Sequence, residues 1–192
     1  QEARFKVAQT SYFKGDFDWA KAQLKVLKGS TTQLIANDAV NLFLKISDNE
    51  PVDSIPSGLK QLAKAELLAF QNKDEAALAE LNSLFINKDV FANGLIPGEV
   101  IYDDVLFFQA KLFIKQKKYE EAILSLSKII EADNQGFLTD DVYFMIAEIY
   151  NNNLINTDKA QEYYQKIIFE HPSSIYLVDA RKKYRKLRGD KV

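Results

Sequence analysis

Alanine recurs in this chain at an interval that governs how its helices can meet. Ala8 and Ala20, Ala65 and Ala77, and Ala110 and Ala122 each stand twelve residues apart, and Leu24, Leu81 and Leu126 follow the second member of each pair by four. A small side chain on each of two neighbouring helices lets the backbones come close, and a large residue one turn later fills the space beside the crossing. The segment from Asp103 to Gly136 shows the unit most clearly. Ala110 and Phe113 lie on one helical stretch, Gln116-Lys117-Lys118 makes a turn, and Tyr119, Ala122, Leu126 and Ile129 form the apolar stripe of the next. The pattern predicts two helices of about 13 residues folded back on one another. Only 7 Gly and 4 Pro punctuate a 192-residue chain that is 47% hydrophobic, and strand-type alternation is hard to find, so the class expected is all-α.

Lys14-Gly15-Asp16-Phe17-Asp18-Trp19-Ala20 resembles the inter-helix turn of tetratricopeptide repeats, with Gly, an aromatic residue and Ala in the family's places. Ala147, Tyr150, Ala160, Tyr164, Ile167 and Pro172 keep the same register, apart from one extra residue in the turn from Asn151 to Asn156. The resemblance implies a right-handed α-α superhelix, a solenoid of about five helix pairs with a C-terminal capping helix. Its units fall at 1–34, 35–57, 58–91, 103–136 and 140–173, with the capping helix at 174–188, all in a single domain over 1–192. The 35–57 unit is degenerate: one helix runs through Ile35, Ala39, Leu42, Phe43 and Ile46, and the Pro-containing stretch Glu50 to Pro56 offers no second one. A long connection from Ile86 to Glu99 is expected to be ordered, because Val90, Phe91, Leu95 and Ile96 favour burial. The chain opens in helical pattern at Gln1-Glu2-Ala3-Arg4-Phe5 without an initiator Met, as a fragment of a longer protein would.

Phe169-Glu170-His171-Pro172-Ser173-Ser174-Ile175-Tyr176, followed by Ala180-Arg181, resembles the repeat end of bacterial outer-membrane-protein assembly lipoproteins and Tol-Pal accessory proteins. That likeness implies a periplasmic or outer-membrane-associated location. Physically it is a Pro stop, a Ser cap and a new helix from about Ile175 to Leu187. Leu177, Val178, Tyr184 and Leu187 would dock that helix on the preceding repeat, leaving Arg181, Lys182, Lys183, Arg185, Lys186, Arg188 and Lys191 as a solvated face.

Charge and chemistry narrow the function. A net charge of −2 from 25 basic and 27 acidic residues makes no global field for nucleic acid or anionic lipid. Lys45 interrupts Leu42-Phe43-Leu44-Lys45-Ile46, and no apolar run approaches the roughly 18 residues that span a bilayer. With no Cys and His171 the only histidine, thiolate metal sites, His ligand pairs and a Ser-His-Asp arrangement are all missing. His171 reads as a helix-end residue near the last carbonyls. Asp103-Asp104 and Asp140-Asp141 stand where helices begin and complement the macrodipole. Gly94 to Gly98 lacks the spacing and the Lys of a phosphate loop. No catalysis, cofactor or metal is expected.

The remaining reading is a scaffold that binds a protein or peptide. In tetratricopeptide solenoids the first helix of each pair lines the concave surface. By that resemblance the binding face comprises Phe5, Gln9 and Tyr12, then Leu62, Glu66 and Phe70, then Phe107, Lys111 and Ile114, and finally Phe144, Glu148 and Asn151. Phe5, Leu62, Phe107 and Phe144 are equivalent positions where a carboxylate-clamping domain would carry Lys or Asn, so an extended segment or helix with apolar anchors is the expected ligand. The alternative is a structural spacer whose ends contact further repeats of the same chain, with Phe5, Val7 and Tyr12 on a face such repeats would cover. An enzyme-accessory or cofactor-binding domain ranks third.

Overall fold

The computed structural model describes residues 1–29, 33–50 and 57–190. Among the described residues there are ten helices and no strand: α1 Glu2–Lys14, α2 Phe17–Leu27, α3 Gln33–Asp48, α4 Leu59–Phe70, α5 Asp74–Leu84, α6 Tyr102–Lys115, α7 Tyr119–Ala132, α8 Thr139–Asn152, α9 Thr157–Glu170 and α10 Leu177–Arg188. Consecutive helices pack as pairs in the manner of a tetratricopeptide-like helical repeat: α1 on α2, α4 on α5 and α8 on α9. The α6–α7 pair is pinned by a buried hydrogen bond from the Ser125 hydroxyl to Gln109 Oε1 at 2.9 Å. Ala8, Ala20, Ala65, Ala77, Ala110, Ala122, Ala147 and Ala160 are all wholly buried, as are Leu24, Leu81 and Leu126. The twelve-residue spacing therefore marks real helix crossings.

One backbone device closes every pair. Gly15, Asn72, Lys117 and Ile155 have φ of 78°, 60°, 61° and 53°, and each stands five residues before a buried Ala. The left-handed residue reverses the chain at the end of the first helix. The next residue's carbonyl then accepts from that Ala: Asp16 from Ala20 at 3.0 Å, Lys73 from Ala77 at 3.0 Å, Lys118 from Ala122 at 3.1 Å and Asn156 from Ala160 at 3.0 Å. Only the first turn uses Gly, which adopts this conformation without penalty. A β-branched residue such as Ile155 is strained there.

The chain divides into two compact units, residues 1–105 and 106–192. In the first, α3 packs on α2 and α4 packs on α1. Ala39 and Ile46 of α3 are buried, and no partner helix follows it among the described residues; 51–56 lie outside them. The connection after α5 is ordered by a close approach at Gly94, where φ is +74° and an added Cβ would lie 2.0 Å from the Phe85 carbonyl oxygen. Leu95 then donates to Leu84 at 2.9 Å. Phe91 and Leu95 are buried as expected and Val90 is half-buried, but Ile96 is exposed. A turn from Ile96 to Glu99, closed at 3.3 Å, carries that side chain outward.

In the second unit α7 and α9 pack on α8, and α10 packs on α9. Its core joins Tyr143, Ala147, Ala160, Tyr164, Ile167 and Ala180. His171 closes α9 by donating its N–H to the Ile167 carbonyl at 3.1 Å, and its ring meets Tyr143 edge-on. Ser174 Oγ accepts from the Tyr176 N–H at 3.0 Å and so positions the start of α10. The docking stripe of α10 differs from expectation at Val178, which is 74% exposed. Ala180, Tyr184 and Leu187 follow helical spacing toward the core, and a position two residues before Ala180 points to the far side.

Candidate functional site

In the first unit α1, α3 and α4 leave a cleft of about 350 Å³, lined by Phe5, Gln9, Asp38, Asn41, Leu42, Lys45 and Glu66. Phe5 and Gln9 lie one turn apart on α1, and Asp38, Asn41, Leu42 and Lys45 follow i, i+3, i+4, i+7 on α3, so each set shares a helix face. Lys45 Nζ donates to Glu66 Oε1 at 2.6 Å across α3 and α4. One turn on, Asn49 Nδ2 donates to Asp104 Oδ2 at 2.7 Å and to the Lys45 carbonyl at 2.9 Å.

Carboxylates dominate this region. Burial works against the Lys45 ammonium, but the neighbouring Glu66 and then Asp104 outweigh it and hold its pKa above the ordinary range. Burial pushes the Asp104 carboxyl up, against the opposing pull of Lys45 and the Asn49 hydrogen bond. Tyr12 is held well above a normal phenol, first by burial and then by the Glu66 carboxylate. Its hydroxyl lies beside the Glu66 carboxylate, and the Asp104 charge also acts on it.

The second unit treats the matching helix face differently. The Phe144 ring stacks on Tyr176 with centroids 4.3 Å apart, and the Tyr176 hydroxyl donates to Asp141 Oδ1 at 2.7 Å. Glu148 accepts from Lys183 Nζ of α10 at 2.5 Å, from Asn152 Nδ2 at 2.9 Å, and from the Tyr164 hydroxyl. Burial raises the Glu148 carboxyl, but the Lys183 and Tyr164 hydrogen bonds outweigh it and bring its pKa below the usual value. Burial followed by the Glu148 bond drives the Tyr164 phenol far up. Tyr176 and α10 thus cover this face. On α6, Lys111 Nζ lies 4.3 Å above the Phe107 ring.

The α8–α9 hairpin with its two buried alanines, the left-handed turn and the stop at Pro172 form a complete unit. Residues 141–174 match the tetratricopeptide repeat family. The match supports a tetratricopeptide-repeat protein, and a tetratricopeptide repeat supports a role in protein–protein interaction. No curated protein matches the chain. No helix among the described residues is long and apolar enough to cross a membrane, and no group of three or more Asp, Glu or His among them is placed to hold a metal ion.

Of the residues assigned to the tetratricopeptide binding face, Phe5, Gln9 and Glu66 come together in the cleft. Phe70 is 69% exposed beside Phe13, outside it. Tyr12 and Leu62 are corrections: both are wholly buried and offer no binding surface. Tyr12 is enclosed among Phe13, Phe17 and the carboxylates, and Leu62 sits within the packing of α4 on its neighbours. Lys111 is exposed and Phe107, Ile114 and Asn151 are half-buried, whereas Phe144 and Glu148 are engaged by Tyr176 and α10. Asp38, Asn41 and Lys45 were not legible as site residues. The signal was a lysine set into the apolar run Leu42-Phe43-Leu44-Lys45-Ile46, which needs a buried carboxylate to face.

Proposed function

We propose that the protein is a non-catalytic scaffold that binds an extended segment or helix of a partner protein along the first helices of its repeats, within a bacterial envelope complex. The observation that carries the binding reading is the cleft between α1, α3 and α4, which contains Phe5, Gln9 and Glu66 and is not filled by the chain's own side chains. The envelope location rests on the 169–181 resemblance, and fractionation of the source cells tests it: recovery with the cytosol removes it.

Asn41 is exposed at the cleft, so Asn41→Trp plugs the space without disturbing a core contact. Affinity capture with the wild-type chain should retain a partner that the Asn41→Trp chain loses. Equal capture by both would falsify the cleft as the binding surface. Phe144→Ala is unsuitable for this purpose because it removes the Tyr176 stack.

A second reading, a spacer that stacks on further repeats, is favoured by one observation. Val7, Trp19 and Val26 are 51%, 53% and 60% exposed on α1 and α2, whereas Ile146, the counterpart of Val7 in the last pair, is wholly buried. Large apolar groups left this open suit a neighbouring helix pair. Concentration-dependent self-association of the chain, abolished by Trp19→Lys, is the expected behaviour; a strict monomer at high concentration removes this reading.

A further inference from the structure

The cleft also carries information about what it accepts. A volume of about 350 Å³ lies at the small end of ligand pockets, a size for one or two side chains. Its wall holds two carboxylates, Asp38 and Glu66, against one ammonium, Lys45, which is already committed to Glu66. Glu66 accepts from Lys45 through Oε1, and the Tyr12 hydroxyl lies beside the same carboxylate. Among the described residues, exposed Asp38 has no ion pair or hydrogen bond, and the Gln9 and Asn41 amides have none either. Asp104 adds a further negative charge that acts on Lys45.

The Asp38 carboxylate has room for a donor, and the surplus of negative charge calls for a cation. Phe5 and Leu42 add an aromatic ring and an aliphatic surface. A planar guanidinium meets all three demands, since it donates in a fork, stacks on rings and carries an apolar stem. Resting on the binding role proposed above, we infer that the cleft is a receptor for an arginine side chain of the partner segment, its guanidinium bridging Asp38 and Glu66 and its stem lying on Phe5 and Leu42.

The test is selection of a phage-displayed random heptapeptide library on the full chain, followed by anisotropy titration of a selected peptide. The expected result is enrichment of Arg next to an apolar residue, weakening of binding by about 5-fold in Asp38→Asn and its loss in Asp38→Lys, with affinity falling as salt rises. Asp38 is exposed and makes no hydrogen bond or ion pair among the described residues, so neither substitution removes one. Enriched peptides that are acidic or neutral, or binding unmoved by both Asp38 substitutions, overturn the arginine assignment while leaving peptide binding intact. Displacement of the peptide by spermidine at comparable affinity assigns the cleft to a free polyamine and also overturns it. If no peptide is enriched, or if a second copy occupies the cleft by sedimentation, the peptide-binding role falls together with the inference.

Discussion

Glu66 in the first unit and Glu148 in the second follow equivalent buried alanines, Ala65 and Ala147, and each is paired to a lysine on another helix. Their surroundings diverge. Glu148 accepts from Lys183, Tyr164 and Asn152, and Phe144 one turn earlier is capped by Tyr176. Glu66 accepts from Lys45, with the Tyr12 hydroxyl beside it, and the counterpart of Tyr164 four residues beyond the second Ala is Leu81, which has no hydroxyl to donate. Among the described residues, the same repeat position therefore accepts three hydrogen bonds in the second unit and one in the first. A binding site can arise in a repeat by withholding a donor, since an acceptor without a partner is what a ligand can supply.

The largest effect expected separates the two lysines. Lys45→Ala should cost about 3 kcal/mol in urea unfolding, because Glu66 and the half-buried Asp104 would be left uncompensated. Lys183→Ala should cost only about 1 kcal/mol, because Glu148 keeps Tyr164 and Asn152. Equal losses would break the contrast.

Overpacking probes what the units share. Ala20→Leu and Ala122→Leu should each cost about 1–3 kcal/mol, since each fills a wholly buried helix crossing. A melting temperature unmoved in either would remove that unit from the common register.

Titration should then show opposite signs. The Glu148 carboxyl lies below its ordinary 4.5, so its ionisation stabilises the fold above that pH, and the gain is lost as pH falls through the folded value. The stability gap between wild type and Glu148→Gln should therefore shrink from pH 6 towards pH 3. Asp104 lies above its ordinary 3.8, so ionisation carries a penalty that develops as pH rises through 3.8 and is complete above the folded value. Asp104→Asn should accordingly compare better with wild type at pH 7 than at pH 3. Guanidinium melts across this range check both, and parallel slopes would erase the distinction.

The smallest effects concern the turns. Ile155→Gly should raise stability by up to about 1 kcal/mol by relieving a β-branched residue at φ 53°, and Gly15→Ala should lower it by about 1 kcal/mol at φ 78°. Thermal melts that move both in the same direction would contradict the shared turn geometry.

The helical class and the pairing were legible because a close crossing admits only small side chains, so each contact left an Ala and a Leu at fixed spacing. Burial at Tyr12 and Leu62 was not legible, because both lie on the helix face that repeat register assigns to the concave surface, and only the packing of α1 and α4 shows them enclosed. Val178 and Ile96 failed for a local reason, since an apolar residue can sit on the outer face of a helix or turn without any pattern to betray it.

What the chain determined alone was local and periodic: the helix spans and the small residues at their crossings, both written in the spacing of residues near in sequence. Tertiary structure decided which acceptors found donors. Lys45 on α3, Glu66 on α4 and Asp104 on α6 are far apart in the chain, and their mutual electrostatics exists only once those helices are brought together.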